Sequence, residues 1–311
     1  MDFYQFYNKN KERKFAICSH MKADVDAIAS SFALSKIFPN SVLCSLDEMN
    51  LGAKLLSEKA GIKTEPIENL NPKNFDGLII TDTSSYTLLP EAKKWKIACI
   101  VDHHRKEGRD MNSDCMAIDE ESPSCAEIIT KLIKEQGLEI TKDMAFALAV
   151  AVIADGARFK SARKETFATL SYLMGLCHAE YNELLYYAEP PQEIEGRMEI
   201  LKTLKKTEII TCGTYLVVTS IAENKESDAA SILADIADAA FIASWKKDKK
   251  ETRVSARGNK TLPIKLNEIM KQVGTSLGGD GGGHYKAAGA SCKAKPKEVL
   301  EKCIDVFMTK L

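Results

Sequence analysis

Apolar runs of strand length alternate with amphipathic stretches over the first third of the chain. FAICSH, SVLCSL, GLIITD and KIACIVD read as strands, and AIASSFALSKIF and GAKLLSEKAG, lying among them, read as helices. Strand and helix alternating at this spacing predict parallel crossover units, and hence a doubly wound α/β sheet. SPSCAEIITKLIKEQG then predicts a helix, with Ser124 as N-cap, Glu127 completing a capping box and Gly137 at the end. DMAFALAVAVIADGARF predicts a buried helix running into a loop at Asp155, and two or three further helices follow to about Tyr187.

The pattern breaks at AEPPQEIEGRMEILKTLKK, where Pro190 and Pro191 precede a charged helix, as a linker would. Beyond it, EIITCGTYLVVTSI predicts a hairpin about Cys212 and Gly213, and SDAASILADIADA a helix. AFIASWKKDKKETRVSARG predicts a second hairpin with a lysine-rich turn. Two more helices flank the glycine-rich SLGGDGGGHYKAAGAS, which reads as a loop. The expected organisation is a catalytic domain over 1–188, a linker helix over 189–205 and a second, smaller α/β domain over 206–311.

Composition narrows the chemistry. With 45% hydrophobic residues over 311 positions, the chain can bury a full core. Its 43 basic and 44 acidic side chains leave a formal charge of -1, so no global field exists to hold a long polyanion or duplex. Nine scattered cysteines without a C-x-x-C pair argue against a disulfide framework or a thiolate metal cage, and point to a reducing, cytoplasmic setting. No run approaches the ~18 apolar residues of a membrane span, and the polar start MDFYQFYNKNKERKF lacks the apolar segment of a signal peptide.

Three predicted strands end in acids and imidazoles: His20, Asp24 and Asp26 after the first, Asp82 after GLIIT, and Asp102, His103 and His104 after KIACIV. In open α/β sheets the carboxyl ends of neighbouring strands converge on one crevice, so these groups can meet there. Clustered carboxylates repel and raise one another's pKa, whereas divalent cations turn the repulsion into coordination. Asp24, Asp26, Asp82, Asp155, His20 and His103 are enough for two divalent cations if one carboxylate bridges. The mixed oxygen and imidazole set suits Mn²⁺ best, with Mg²⁺ or Co²⁺ also accommodated. A single acid after a strand is more often a helix cap or turn former, and only the set as a whole favours a metal site. Of the five histidines, His178 alone lies outside these clusters and the glycine-rich segment.

HMKADVDAIAS, TDTSS, VDHHR and AVIADGARF, in that order, resemble the four motifs of the DHH phosphoesterase family. RVSARG and GGGHYKAAGA resemble the arginine strand and glycine–histidine signature of its associated C-terminal domain. Among family members the likeness is to nanoRNase and oligoribonuclease-type enzymes. The resemblance implies one metal held by His20, Asp24 and Asp82, and another by Asp26, His103 and Asp155 with Asp82 as bridge. It implies that Asp102 orients ligands from behind, that His104 faces the scissile phosphate, and that the active site lies in the cleft between the domains. Arg158, Arg257, Gly281, Gly282, Gly283 and His284 would contact substrate. The expected activity is hydrolysis of short oligoribonucleotides or linear dinucleotides such as pApA to 5'-mononucleotides, with a homodimer allowed. A 3'-phosphoadenosine 5'-phosphate phosphatase and a RecJ-like exonuclease are the alternatives, and an inactive binding subunit is disfavoured because every expected ligand is present.

Overall fold

The computed structural model describes residues Met1 to Leu311 except Asp47, Glu107, Ala157, Arg158, Lys160 and Gln192. The chain divides into two compact units, Met1–Pro191 and Gln192–Leu311.

The first unit runs α1 (Phe3–Asn10), β1 (Phe15–Cys18), α2 (Val25–Ile37), β2 (Val42–Ser45), α3 (Leu51–Ala60), β3 (Glu65–Pro66), β4 (Gly77–Thr81), β5 (Ile97–Asp102), β6 (Met116–Ile118), α4 (Cys125–Glu135), α5 (Lys142–Asp155), α6 (Lys164–Cys177) and α7 (Tyr181–Ala188). The six strands lie in the order β3-β2-β1-β4-β5-β6, and every neighbouring pair is parallel. The order reverses direction between β1 and β4, and crevices at such switch points receive ligands at the strands' carboxyl ends. Both strands are buried along their whole length. α5 is buried at every position from Met144 to Ile153, as a helix apolar on all sides must be, and packs against α2, α6 and α7. The core on this face includes Ile28, Phe32, Ile79 and Val101.

Ser124 caps α4 as the sequence predicts, its side chain accepting from the Glu127 N–H at 3.2 Å. The reciprocal half of the predicted capping box is replaced. The Glu127 carboxylate accepts instead from Arg163 Nη2 and Thr166 Oγ1, both at 2.8 Å, because a buried acid gains more from a cation and a hydroxyl than from one local amide.

The second unit comprises α8 (Ile194–Lys205), β7 (Glu208–Cys212), β8 (Tyr215–Ala222), α9 (Glu226–Leu233), β9 (Ala239–Lys246), β10 (Glu251–Gly258), α10 (Leu266–Ser276), β11 (Asp280–Gly283), β12 (Ala287–Cys292) and α11 (Pro296–Met308). Its strands form one sheet in the order β11-β12-β10-β9-β8-β7, parallel at β8–β9 and antiparallel elsewhere. α8, within the segment read as a linker, packs on β8 and α9 and accepts a hydrogen bond from Ser220 Oγ at the Thr203 carbonyl, 2.7 Å. The glycine run is not a loop: Asp280–Gly283 is the edge strand β11, paired with β12. Its glycines permit close packing there, since a Cβ on Gly281 would stand 2.1 Å from the Met270 carbonyl oxygen of α10. All nine cysteines are free and buried. Among the described residues no helix is long and apolar enough to cross a membrane.

Candidate metal centre

The strand ends bring the predicted acids and imidazoles together at the switch point. His20 follows β1, and Asp24 is the N-cap of α2, its Oδ1 accepting from the Ala27 N–H at 3.0 Å. Asp26, in the first turn of α2, is wholly buried; its carboxylate accepts from Cys125 N at 2.6 Å, Ala126 N at 2.8 Å and Ser30 Oγ at 3.2 Å. A carboxylate from α2 thus occupies the positive end of α4, where free N–H groups favour negative charge. Asp82 follows β4 with φ of 59°, a left-handed conformation that aspartate tolerates better than most residues.

Asp82 lies at the middle of the cluster. Its Oδ2 is 3.3 Å from His20 Nε2, while its Oδ1 is 3.2 Å from His103 Nε2. Around His20 lies Asp24 at 3.9 Å; around His103 lie Asp155 at 3.4 Å and Asp26 at 4.0 Å. The donor atoms of His20, Asp24 and Asp82 fall within 4.8 Å of one another, as do those of Asp26, His103 and Asp155 and those of Asp82, His103 and His104. One carboxylate therefore presents a separate oxygen to each of two imidazoles.

Both imidazoles are oriented through the nitrogen that faces away. His20 Nδ1 is 2.8 Å from the Met21 carbonyl and His103 Nδ1 is 3.1 Å from the Ser122 carbonyl, so each Nδ1 is the donor and Nε2 is left for the cluster. Asp82 Oδ1 and His103 Nε2 are buried without a hydrogen-bond partner, despite the attraction between them. Buried polar atoms left in this way, converging with carboxylates, fit a divalent cation; the set of oxygens and imidazole nitrogens suits one of moderate hardness.

The electrostatics of the ion-free cluster express the same requirement. Burial lifts Asp26, helped by the Asp82 charge, to about 7. Burial and the Asp26 and Asp82 charges push Asp155 well above the usual carboxylate range, and burial with Asp82 raises Asp24. Asp82 goes the other way: against burial, the imidazoles of His103 and His20 beside it draw it down to about 2. Against burial, Asp82 lifts His20 to about 9; the same carboxylate, with Asp26, lifts His103 to about 10. Without cations the protein must hold protons to neutralise its acids.

His104 borders this arrangement, its Nδ1 3.7 Å from Asp82 Oδ1, but is tied more closely to Asp102. Its Nδ1 is 2.8 Å from Asp102 Oδ1, which also accepts the His104 backbone N–H at 3.1 Å; Asp102 Oδ2 accepts from Ser84 Oγ at 2.6 Å. Asp102 is fully buried and, against burial, its partners His104 and Ser84 hold it below the usual carboxylate range. Hydrogen bonding to Asp102 raises the His104 pKa, and the ring remains 50% exposed, with no hydrogen bond to Nε2 among the described residues. Ser84 lies within the quoted TDTSS, yet its role depends on a contact with β5 that the sequence does not display. Ser122 was missed for the same reason.

Of the substrate contacts expected in the second unit, Arg257, Gly282 and Gly283 line one open hollow of about 490 Å³, together with Lys225, Ser227 and Arg253. Arg257 donates to Ser227 Oγ at 2.7 Å and to the Ala256 carbonyl at 3.0 Å, and burial lowers its pKa. His284 is exposed in the β11–β12 turn, where its N–H bonds the Ala287 carbonyl at 2.8 Å, and it is not part of the hollow's lining. Arg158 falls outside the described residues.

A doubly wound sheet whose switch point gathers carboxylates and imidazoles around a shared aspartate defines an α/β protein with candidate groups for divalent metal. Residues 14–152 match the DHH family, N-terminal domain, and residues 213–310 match the DHHA1 domain. The uncharacterized protein MJ0988 of Methanocaldococcus jannaschii is 31% identical over 97% of this chain and 96% of its own length. A probable manganese-dependent inorganic pyrophosphatase of Bacillus licheniformis is 27% identical over 48% of this chain and 50% of its own. In fold, the chain is similar to an exopolyphosphatase-related protein of Bacteroides fragilis, with a TM-score of 0.79 at 15% identity over 99% of this chain and 96% of that one. The chain belongs to the DHH family and is a phosphoesterase.

Proposed function

We propose that this phosphoesterase hydrolyses the phosphodiester bonds of short oligoribonucleotides or linear dinucleotides such as pApA, releasing 5'-mononucleotides, with two divalent cations, most suitably Mn²⁺. The observation that carries the reading is the division of Asp82 between His20 and His103, one oxygen to each. His20, Asp24 and Asp82 would hold one ion; Asp26, His103, Asp155 and the same Asp82 the other. Once bound, such a pair supplies Lewis-acid polarisation of the phosphoryl oxygens and an activated water near neutral pH.

The chain's own residues do the rest. Asp102, held by Ser84, keeps the proton of His104 on Nδ1 and favours the imidazolium, which then presents Nε2–H to charge developing on the departing oxygen. On the second unit, Arg257 offers a planar fork beside the glycine strand, chemistry suited to a phosphate group. The near-balanced charge supports short substrates over long strands, and the free thiols support a reducing, cytoplasmic compartment.

A pyrophosphatase reading draws on the likeness to the Bacillus enzyme, which extends over about half of the chain. The DHHA1 match over residues 213–310, where the glycine–histidine signature lies, weighs against that reading. A panel of pApA, RNAs of two to about twenty residues, 3'-phosphoadenosine 5'-phosphate and pyrophosphate, assayed with Mn²⁺ and with chelator, tests the choice. Turnover of pyrophosphate with none of pApA refutes it.

A further inference from the structure

The diverted capping acid Glu127 joins three segments that sequence keeps apart. Its carboxylate is buried, accepts from Arg163 Nη2 and Thr166 Oγ1, and so ties the start of α4 to the start of α6. Thr166 Oγ1 in turn accepts from the Arg163 backbone N–H at 3.1 Å. Arg163 also reaches Asp119 Oδ2 at 3.5 Å, and Asp119 N bonds the Asp102 carbonyl at 3.2 Å.

Two of the tied segments serve members of a single ligand group. The first turn of α4 gives Asp26 two of its three donors, Cys125 N and Ala126 N. The segment from Asp119 to Ser124 carries the Ser122 carbonyl that orients His103, and it is folded by Ser122 Oγ bonding the Ser124 carbonyl at 2.9 Å. Asp26, His103 and Asp155 are together one of the three candidate ion-binding groups. Among the described residues the network makes no hydrogen bond or ion pair to His20 or Asp24, which meet Met21, Ala27, Asp82 and each other.

We propose that the Glu127–Arg163 ion pair is a positioning pair for one of the two ions, the one at Asp26, His103 and Asp155, and leaves the His20–Asp24 side independent. The inference rests on the two-ion reading above. An acid used only to cap its helix would reach the N-cap amide; this one leaves that amide and spends its charge on a cation across the fold, where it fixes the angle at which α4 meets the ligand segments. Groups behind a ligand shell of this sort commonly govern affinity by about 10- to 100-fold.

Mn²⁺ titration of the ion-free protein, by calorimetry and by loss of the free-ion paramagnetic resonance signal, tests it. Glu127→Gln keeps the shape and the Thr166 contact while removing the charge. We expect one of two binding events to weaken about 10- to 100-fold and the other to stay within about twofold, with Arg163→Gln giving the same pattern and Arg163→Lys restoring most of it. Asp24→Asn should weaken the complementary event. Equal weakening of both events, or neither, in Glu127→Gln and Arg163→Gln overturns the proposal, as does a melting point of the ion-free variants so low that ordinary unfolding explains the loss. A wild-type protein that takes up a single ion refutes the two-ion reading instead; if Glu127→Gln then holds that ion as tightly, the positioning role falls as well.

Discussion

Replacing Asp102 by asparagine isolates the charge that His104 leans on. The shape is kept: the asparagine carbonyl can accept both His104 donors, at 2.8 and 3.1 Å in the native protein, while its amide faces Ser84, whose hydroxyl can turn to accept. Only the negative charge is lost. A hydrogen bond to a charged partner contributes ~1.5–3 kcal/mol and a neutral one ~0.5–1.5, so the imidazolium loses about 1.5 kcal/mol of support, roughly a tenfold change. The sign follows from the direction of the native shift. Asp102 raises the His104 pKa, so without its charge the proton leaves at lower pH and the alkaline limb of the rate profile moves down. Activity on pApA above that limb should fall about tenfold while metal content stays native. Profiles of kcat and kcat/KM from pH 5.5 to 9.5, with metal analysis on the same preparations, give the readout. An unshifted limb with full activity, or a protein that loses its ions, refutes the assignment of His104 as the charged donor.

Asp82→Asn should nearly abolish turnover and ion binding together, because both imidazoles lose their shared carboxylate; near-normal turnover in Mn²⁺ would dismiss it as a bridge. Arg257→Ala should raise KM for 5'-phosphorylated dinucleotides about tenfold with little change for 5'-hydroxyl ones, and leave metal content intact; equal effects on both substrates would count against phosphate recognition. The ion-free protein should lose thermal stability as pH rises from 6 to 10. Asp26, at about 7, is above its unfolded value, as are His20 at about 9 and His103 at about 10, so the native state sheds favourable protons across that range. The gain in melting temperature on adding Mn²⁺ should grow correspondingly, and calorimetric scans showing the opposite trend would exclude proton-for-metal exchange.

The strands that carry the candidate ligands were legible because each opens as a continuous apolar run, and because their ends concentrate residues that a buried crevice rarely collects without purpose. Short edge strands were not: β3 has two residues and β6 three, too few for any period to register, and their existence depends on a neighbour to pair with. α1 was passed over because the polar Gln5, Asn8, Lys9 and Asn10 and the charged run that follows mask Phe3, Phe6 and Tyr7, which pack inward. The glycine run misled in the other direction. Its composition says turn, whereas Gly281 exists so that α10 can lie against a strand, a fact available only once both elements are in place. Ser84, Ser122 and the Glu127–Arg163 pair were invisible for the same reason, since each acts through a partner from another element.

Asp26 stands 99 residues from the helix start that it secures, and Asp24 secures the start of its own helix. Both acids therefore have work that continues when no ion is bound. In a lineage that gave up catalysis, selection for folding alone would still retain them, whereas Asp155, whose burial opposes its charge, would be free to drift toward a neutral residue. Inheritance of the aspartates after the first strand is thus a poor sign of surviving chemistry; loss at the end of the buried helix is the more informative scar.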